Sequence, residues 1–357
     1  MSETTLDTTR LEAFGQQMSD VLNHGTLALL TSIGHQVGLY DALAELPPAT
    51  SHEIAGAAGL HERYVREWLG AMTVARIVEY DARDRTYRLP REHAAFLTRA
   101  AGPQNLAAAT QFIALLAGVE SSLVECFRRG GGVPYSEYVE FHRLMAEDSG
   151  AVFDAALIDE ILPLVPGLPG RLSSGIDVAD VGCGSGHAIN VIAAAYPQSR
   201  CVGYDFSAEG IAAGQAEASA LGLTNAHFVV RDAAELGEHE RFDLVTAFDA
   251  IHDQAHPAKV LAGIADSLRP GGTFLMVDIQ ASSNLEDNLD HPFAPFLYSI
   301  STMHCMTVSL SLDGDGLGAV WGEQKARQLL TEAGFTDIQT THVEADAFNT
   351  YYICRRP

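Results

Sequence analysis

A glycine-rich turn between an apolar run and a helix is the stretch of this sequence best suited to chemistry. Residues 178–187 read VADVGCGSGH, with Gly182, Gly184 and Gly186 at alternate positions. Such glycines let the backbone bend sharply and approach a ligand closely, and the following helix directs unpaired N–H groups at that ligand. The spacing differs from the Gly-x-Gly-x-x-Gly of dinucleotide sites, and Asp180 before the turn would repel a pyrophosphate. The turn therefore predicts a nucleotide-cofactor loop that suits a cationic ligand.

The next apolar run ends in an acid whose distance from the glycine turn suits a nucleoside-binding site. Asp205 lies nineteen residues after Gly186 and is followed by Phe206. A carboxylate at the tip of a strand could accept hydrogen bonds from both hydroxyls of a ribose. This position predicts a ribose contact.

The third and fourth apolar runs also end in acids. The third leads to Asp232 and Ala233, where an acid could accept a hydrogen bond from an adenine amino group. The fourth ends in Phe248 and Asp249. Because the carboxyl ends of parallel strands meet at one edge of a sheet, these polar groups are expected to share one site.

This order of motifs resembles the class I S-adenosylmethionine-dependent methyltransferases, whose glycine loop, ribose acid, adenine acid and fourth-strand motif have the same spacing. Residues 267–272, SLRPGG, look like that family's turn before the fifth strand, which here runs to Asp278. The resemblance covers roughly residues 150 to 357 and implies a Rossmann-like seven-stranded α/β sheet. It also implies S-adenosyl-L-methionine as cofactor and S-adenosyl-L-homocysteine as product. The implied cofactor contacts are Asp180, Gly182, Gly184, Gly186, Asp205, Phe206, Asp232, Ala233, Phe248 and Asp249.

A histidine directly after the fourth strand is the candidate catalytic base. In the plant-type O-methyltransferases, which this region resembles, a His-Asp-Trp triplet here supplies the general base for the acceptor hydroxyl. His252 and Asp253 match its first two residues, and Gln254 replaces the tryptophan. A histidine suits the task, because its ordinary pKa of about 6.5 lets it take a proton at neutral pH. The alternatives are a histidine that only packs against the cofactor, or His256 or His304 as the base.

Charge and cysteine content argue against several kinds of partner. Among 357 residues, 46 Asp and Glu face 22 Lys and Arg, a net charge of -24, which repels nucleic acid and anionic membranes. The five cysteines lie far apart, form no Cys-x-x-Cys pair and have no ligand-spaced histidines beside them, a pattern typical of reduced thiols without a metal site. The resemblance assigns the acids near the site to cofactor contacts, which disfavours metal-assisted transfer. The N-terminus lacks a signal-peptide pattern, and no apolar run reaches a membrane span of about 18 residues, so a cytoplasmic protein is expected.

The N-terminal part predicts helices followed by a winged helix. Apolar spacing over residues 8–46 predicts two helices, the second almost wholly apolar, and a partner subunit or the chain itself must cover it. A short helix capped by Ser51, a second helix over 62–75 and a hairpin over 77–89 follow. Residues 51–99 hold eight arginines against seven acids. A DNA-binding winged helix is expected to carry a clear excess of basic residues, so this balance favours a structural or dimerising module.

This arrangement resembles the dimeric small-molecule O-methyltransferases, in which an N-terminal winged-helix region pairs two subunits and helps to wall the substrate pocket. The resemblance implies a mainly α-helical winged-helix domain for dimerisation and covering the substrate over residues 1–150. It implies an S-adenosylmethionine-binding methyltransferase domain over 151–357, and a homodimer.

Two further segments are expected to border the acceptor. Residues 135–142 are rich in aromatics, and the alternation of strands and helices lapses for about forty residues after Asp278, which predicts a functional stretch without regular structure. The predicted acceptor contacts are Phe141, His142, Tyr298, His304 and Trp321.

The sequence therefore predicts an enzyme that transfers a methyl group in line to a small aromatic or lipophilic acceptor. His252 favours an oxygen acceptor, and nitrogen, sulfur and carbon stay open. The alternatives are a winged-helix transcriptional regulator that uses the methyltransferase fold as a cofactor sensor, and a protein that binds the cofactor without transferring the methyl group.

Overall fold

The computed structural model describes residues 6–357. The first five residues, part of the stretch read as lacking a signal peptide, lie outside the described residues. The chain divides into two compact units, Met1–Ala114 and Leu115–Pro357. This division places residues 115–150, which the sequence assigns to the first domain, in the second unit.

The first unit is helical with one small hairpin, and its helix-turn-helix and hairpin form the predicted winged helix. Its core gathers apolar residues of α2, α3 and α4, including Leu43, Ile54 and Leu69. The elements are α1 (Thr8–Gln36), α2 (Leu39–Glu45), α3 (Ser51–Ala58), α4 (Glu62–Val74), the antiparallel strands β1 (Glu79–Asp81) and β2 (Thr86–Arg88), α5 (Arg91–Leu97), a 3-10 turn (Arg99–Gln104), α6 (Leu106–Ala109) and α7 (Gln111–Ala117), which crosses the boundary between the units.

Two local details of this unit differ from the expectations. The two helices expected over residues 8–46 are present, but the break between them comes later than the apolar spacing suggests, because the chain turns only at Gly38, whose φ of 73° favours glycine. Thr50, rather than Ser51, caps α3, since its side chain accepts from the Glu53 N–H in a capping box.

The second unit is built on a seven-stranded sheet of order β5-β4-β3-β6-β7-β9-β8. Strands β3 to β7 pair in parallel, and β9 is antiparallel to both β7 and β8, as predicted. The strands are β3 (Asp177–Val181), β4 (Arg200–Asp205), β5 (Ala226–Val230), β6 (Phe242–Phe248), β7 (Leu268–Ile279), β8 (Thr336–Val343) and β9 (Asp346–Arg355).

Helices cover both faces of this sheet. Neighbouring residues of β3 alternate between two cores, Val178 packing with α11 residues and Ala179 with α13 and α16 residues. The helices are α8 (Glu120–Arg129), α9 (Phe141–Ala156), α10 (Leu168–Ser174), α11 (His187–Ala195), α12 (Ala208–Ala220), α13 (Pro257–Ser267), α14 (Ala294–Ile300), α15 (Met306–Ser311) and α16 (Gly322–Glu332).

The stretch after Asp278 is helical, which overturns the expectation of an irregular segment. It contains a 3-10 turn (Leu285–Asn288), α14, a π-helical turn (Ser301–Cys305) and α15. The reason lies in the sequence: no glycine or proline occurs between residues 296 and 313, and Leu297, Cys305 and Val308 are buried.

Within the described part of the chain, no single helix is long and apolar enough to cross a membrane. The stretch Leu106–Ala117, which contains α6 and α7, meets that length and composition only when it is taken together with the helix Glu120–Arg129 beyond a bend.

Candidate functional site

A pocket lies at the carboxyl ends of β3, β4 and β6, where the strand order reverses between β3 and β6. Open parallel sheets bind ligands at such a point. The pocket brings together eight of the predicted cofactor residues: Asp180, Gly182, Gly184, Asp205, Phe206, Ala233, Phe248 and Asp249. Gly186 and Asp232 do not line it.

The glycine turn is held by β4 and open towards the pocket. The Tyr204 carbonyl accepts from the Gly182 N–H at 2.8 Å and the Cys183 N–H at 3.0 Å. Gly184 has a φ of 53°, and a Cβ added to it would meet nothing within 4 Å. A Cβ on Gly186 would instead fall 2.3 Å from the ring of Phe228. Gly184 therefore leaves room for a ligand, whereas Gly186 permits close packing.

The Asp205 carboxylate joins the tip of β4 to the glycine turn. Its Oδ2 accepts from the Gly184 N–H and its Oδ1 from the Ser207 N–H, both at 2.8 Å. Each carboxylate oxygen can accept a second hydrogen bond. The buried carboxylate can therefore still bind a pair of hydroxyls.

Asp180 lies buried at the end of β3. The Thr246 hydroxyl donates to its Oδ1 at 2.8 Å. Burial raises the pKa of Asp180 to about 7, with Asp205 adding to the rise and the Thr246 bond opposing it. A cation placed beside Asp180 would favour its ionised form.

Asp249 is strained and incompletely bonded. Its φ of 51° puts a non-glycine residue in the left-handed region, at a cost of roughly 1–3 kcal/mol. Its Oδ2 accepts from the Asn349 side-chain amide at 3.0 Å, while its buried Oδ1 has no partner within residues 6–357. Burial raises the pKa of Asp249 well above its usual range. Strain and an unpaired oxygen of this kind are typical of ligand sites.

The pocket is rich in carboxylates. Asp253 also lines it, with a pKa that burial raises to about 6. Arg231 lines it too, but its guanidinium is engaged by the Leu236 carbonyl at 2.6 Å and by Glu238 at 3.2 Å. Four acids, Asp180, Asp205, Asp249 and Asp253, therefore favour a cationic ligand.

His252 lies beside the pocket rather than in its wall. The neighbouring Ala250, Asp253 and Gln254 line the pocket, while His252 is 5% exposed. Its Nδ1–H donates to Oδ1 of Asp278 at 2.8 Å. Burial lowers the pKa of His252, but Asp278 and Cys305 together raise it more, so the pKa is well above its usual value.

Asp278, near the end of β7, is a site residue that the sequence analysis missed. It is fully buried, and its Oδ1 also accepts from the Trp321 indole N–H and the Ile279 N–H, each at 2.9 Å. The signal available was its position, because it ends a parallel strand at the same sheet edge as Asp205 and Asp249.

The predicted acceptor contacts divide into two groups. Phe141 and His142 line the pocket together with Tyr135, while Tyr298, His304 and Trp321 do not. Tyr298 is partly exposed, and its hydroxyl oxygen accepts from the Asn288 amide at 3.3 Å.

His304 lies directly behind Phe141. The two rings stack at 3.8 Å and an angle of 10°. His304 is 2% exposed, and neither ring nitrogen has a partner in the described part of the chain. Burial lowers the pKa of His304 to about 3, and the neighbouring His252 and His142 add to the fall. This imidazole is therefore neutral at any working pH.

Helix α9 forms a side wall and is tied to the glycine turn by His187. Its Nε2 is 2.9 Å from Oδ1 of Asp154 on α9, and its Nδ1 is 2.6 Å from Oε1 of Glu217 on α12. Burial lowers the pKa of His187, but the two carboxylates raise it to a net value above the usual one. This bridge fixes α9 against the helices that follow β3 and β4.

Within residues 6–357, no group of three or more His, Cys, Asp or Glu side chains is placed to hold a metal ion.

Two family models match parts of this chain. An Rv2258c-like winged HTH domain matches residues 25–99, and a methyltransferase domain matches residues 172–334. The chain thus combines a winged helix-turn-helix domain with a methyltransferase domain, which confirms the resemblance found in the sequence.

Curated relatives match the chain over part of their length. It is 32% identical over 115 residues to a phthiotriol/phenolphthiotriol dimycocerosates methyltransferase of Mycobacterium ulcerans, covering 32% of this chain and 41% of the relative. It is 27% identical over 170 residues to a trans-aconitate 2-methyltransferase of Methylobacterium nodulans, covering 47% of this chain and 61% of the relative. The chain therefore spans less than two thirds of the length of these relatives.

Solved methyltransferases share the fold. A mitomycin 7-O-methyltransferase superposes with a TM-score of 0.71 at 17% identity, covering 98% of this chain and 100% of the other. A methyltransferase of calicheamicin biosynthesis in its SAH-bound form gives 0.67 at 18% identity, covering 98% and 99%. An O-methyltransferase family protein from Burkholderia thailandensis gives 0.66 at 14% identity, covering 99% of each chain.

Proposed function

We propose that this chain, a winged helix-turn-helix domain followed by a methyltransferase domain, transfers a methyl group from S-adenosylmethionine to a hydroxyl of a small molecule. One observation carries the proposal. The glycine turn, Asp180 and Asp205 meet in one acidic pocket at the switch point of a methyltransferase-type sheet.

The pocket residues fit this cofactor. Gly184 leaves open space beside the turn, Asp205 keeps lone pairs for the ribose hydroxyls, and Asp180 suits an amino group. Asp249 offers an unpaired oxygen. When bound, S-adenosylmethionine supplies a methyl group already activated by the sulfonium charge. The chain's main task is then to hold the two reactants in line.

His252 is the proposed base for the acceptor hydroxyl. The Asp278 carboxylate holds the Nδ1 proton, which leaves Nε2 to take the proton of the acceptor. Among the rivals, His304 has a pKa of about 3 and would bind a proton weakly, and His256 is exposed ahead of α13. A raised pKa makes the neutral form of His252 a stronger base.

A hydroxyl acceptor agrees with the names of two similar proteins. One structural neighbour methylates position 7-O of mitomycin, and another is an O-methyltransferase family protein. The aromatic side chains Tyr135, Phe141 and Phe153 in the pocket wall suit an aromatic or lipophilic acceptor.

Variants of His252 test the proposal. Methyl transfer from labelled S-adenosylmethionine to a panel of phenols would be measured for the wild type, His252→Ala and His252→Gln. Both variants should lose turnover by roughly a hundredfold or more, the usual size of general-base assistance. Binding of S-adenosylhomocysteine should stay within about threefold, because His252 does not line the pocket.

The pH profile adds an independent readout. Only the neutral imidazole can take the proton, so the wild-type rate should rise as pH increases through the raised pKa, above about 6.5. His256→Gln, a matched change at an exposed histidine, should keep the wild-type rate and profile. Near-wild-type turnover in His252→Gln would rule out His252 as the base.

We also propose that the first unit pairs two subunits rather than reading DNA. Leu11, Phe14, Val21 and Leu22 of α1 are more than half exposed, an unusual apolar surface for a lone chain. On α4, Arg63 and Arg66 pair with Glu67 and Glu62, which neutralises the helix that a DNA-binding winged helix would insert.

The five cysteines are all unpaired in the structure. This supports the predicted cytoplasmic location, where thiols are kept reduced.

A further inference from the structure

The Asp278 carboxylate is bonded asymmetrically. Its Oδ1 accepts three hydrogen bonds, from His252 Nδ1 at 2.8 Å and from Trp321 Nε1 and the Ile279 N–H at 2.9 Å each. Its buried Oδ2 has no partner within the described residues. All the charge-assisted bonding of this buried carboxylate therefore converges on the oxygen that faces His252.

Trp321 is fixed in place by its backbone as well as by its ring. Its carbonyl oxygen accepts from the Ser283 hydroxyl at 2.6 Å, and the Trp321 side chain is 5% exposed in the core. Gly322, with a φ of 76°, packs so closely that an added Cβ would lie 2.1 Å from the Ser283 nitrogen. The indole N–H therefore has little freedom to leave Asp278.

We propose that Trp321 is a positioning residue for the His252–Asp278 pair: its indole N–H orients the carboxylate and withdraws charge from the oxygen that holds the imidazole. An indole N–H can only donate, so it requires an acceptor oxygen at that place. By holding the Asp278 oxygen opposite Nδ1, it keeps the His252 proton on Nδ1 and leaves Nε2 for the proton of the acceptor. The proposal rests on the proposed function only in taking His252 as the base.

Several other groups face His252. Asp278 and Cys305 interact with it most strongly, and Asp249, Asp253 and His304 also feel its charge. Trp321 differs from these groups because it carries no charge. Its effect must pass through the single hydrogen bond to Asp278, so removing that bond should change His252 without changing the net charge of the site.

The expected effect has a defined sign. Without the indole donor, the Asp278 oxygen carries more negative charge towards His252 and stabilises the protonated imidazole better. In Trp321→Phe, the midpoint of the His252 titration should move upward by about half a pH unit or more. The rising limb of the rate profile should move by the same amount, while the KM for the cofactor stays unchanged.

The chain offers a direct probe, because it has two tryptophans. In the full-length protein labelled with ¹⁵N-tryptophan, each indole N–H gives one NMR signal. Trp68, whose indole donates to the Leu30 carbonyl at 2.8 Å in the first unit, is the internal reference. Trp321→Phe assigns the signals, and Trp68→Phe is the matched control. The imidazole Cε1–H signal of His252, assigned with His252→Gln, reports its protonation between about pH 5.5 and about pH 10.

The proposal expects the Trp321 signal to titrate together with His252 in the wild type, and to stop titrating in His252→Gln while the Trp68 signal stays still. A Trp321 signal that is constant over this range, or that titrates equally in His252→Gln, would overturn the proposal. So would a folded Trp321→Phe protein with an unchanged His252 midpoint.

Two further measurements keep the test decisive. If Trp321→Phe does not fold, Asp278→Asn replaces it. The Trp321 signal should then move and lose its pH dependence, and a signal that keeps its wild-type titration contradicts the proposal. If His252→Gln keeps its turnover, His252 is not the base. The role of Trp321 is tested separately, by whether its NMR signal titrates together with His252.

Discussion

Replacing Asp205 by asparagine is the most direct test of how the pocket would hold a nucleoside. The carboxylate accepts one backbone N–H on each oxygen and keeps one acceptor position on each for a ribose hydroxyl. An asparagine presents one oxygen and one NH₂ group. Whichever way the amide turns, its NH₂ faces the N–H of Gly184 or of Ser207, and one ribose contact loses its acceptor.

The size of the effect follows from these bonds. A hydrogen bond to a charged group contributes roughly 1.5–3 kcal/mol. Asp205→Asn removes one such bond and the charge behind the other, and it sets two donors against each other. A loss of about 2–3 kcal/mol in binding free energy is expected, which weakens affinity by roughly thirtyfold to a hundredfold or more.

The assay is isothermal titration calorimetry with S-adenosylhomocysteine, on variants whose thermal unfolding shows that they are folded. Asp232→Asn is the matched control, because Asp232 is an exposed acid after the next strand and its Oδ1 accepts from the Ala234 N–H. Its loss should weaken binding by less than about tenfold, since an exposed hydrogen bond contributes about 1 kcal/mol. Equal affinities of wild type and folded Asp205→Asn would refute the ribose assignment.

Two further predictions concern the glycine turn and the first helix. Gly186→Ala should lower the free energy of unfolding by about 1–3 kcal/mol, because its Cβ would meet Phe228 at 2.3 Å. Gly184→Ala should lower the free energy of unfolding by only about 1 kcal/mol, for its positive φ. It should nevertheless lose most of its affinity for S-adenosylhomocysteine. Chemical denaturation and calorimetry would measure the two effects, and a reversed order of stabilities contradicts the packing argument. Phe14→Glu with Leu22→Glu should give a monomer by light scattering, because both side chains are exposed; a persistent dimer would place the interface elsewhere. Truncation of residues 1–46 is a poorer test, since Tyr40 and Leu43 belong to the core of the first unit.

The strand-end motifs were predictable because each is local. Asp180, the glycine turn and Asp205 lie within one strand-helix-strand unit, where chain direction alone brings them to one sheet edge. The hydrogen bond between Asp278 and Trp321 was not predictable, because it joins residues 43 positions apart and depends on how α16 packs. The assignment of Asp232 to the adenine stays a prediction. Its position in the sequence suits an adenine contact, but the turn after β5 leaves its side chain exposed and outside the pocket wall.

The segment after Asp278 was mispredicted for a related reason. Strands and helices no longer alternate in this segment, and the loss of that alternation predicts an irregular stretch. Four short helical pieces, one of them the π-helical turn Ser301–Cys305, carry too few residues each for a clear helical period. Burial of Leu297, Cys305 and Val308 within the second unit, in a stretch without glycine or proline, stabilises these pieces as helices.

The pocket draws its floor and its side wall from different parts of the chain. The floor is a network of strand ends and turn residues bonded to one another, while Met145, Ala146, Ser149 and Phe153 present one face of α9. No hydrogen bond described for Asp180, Gly184 or Asp205 involves these four side chains. Selection acting on α9 could therefore change which acceptors the enzyme admits, a methylene or a ring at a time, without disturbing the residues proposed to hold the methyl donor. In such an arrangement, substitutions along one helix can change the acceptor specificity while the residues of the donor site stay the same.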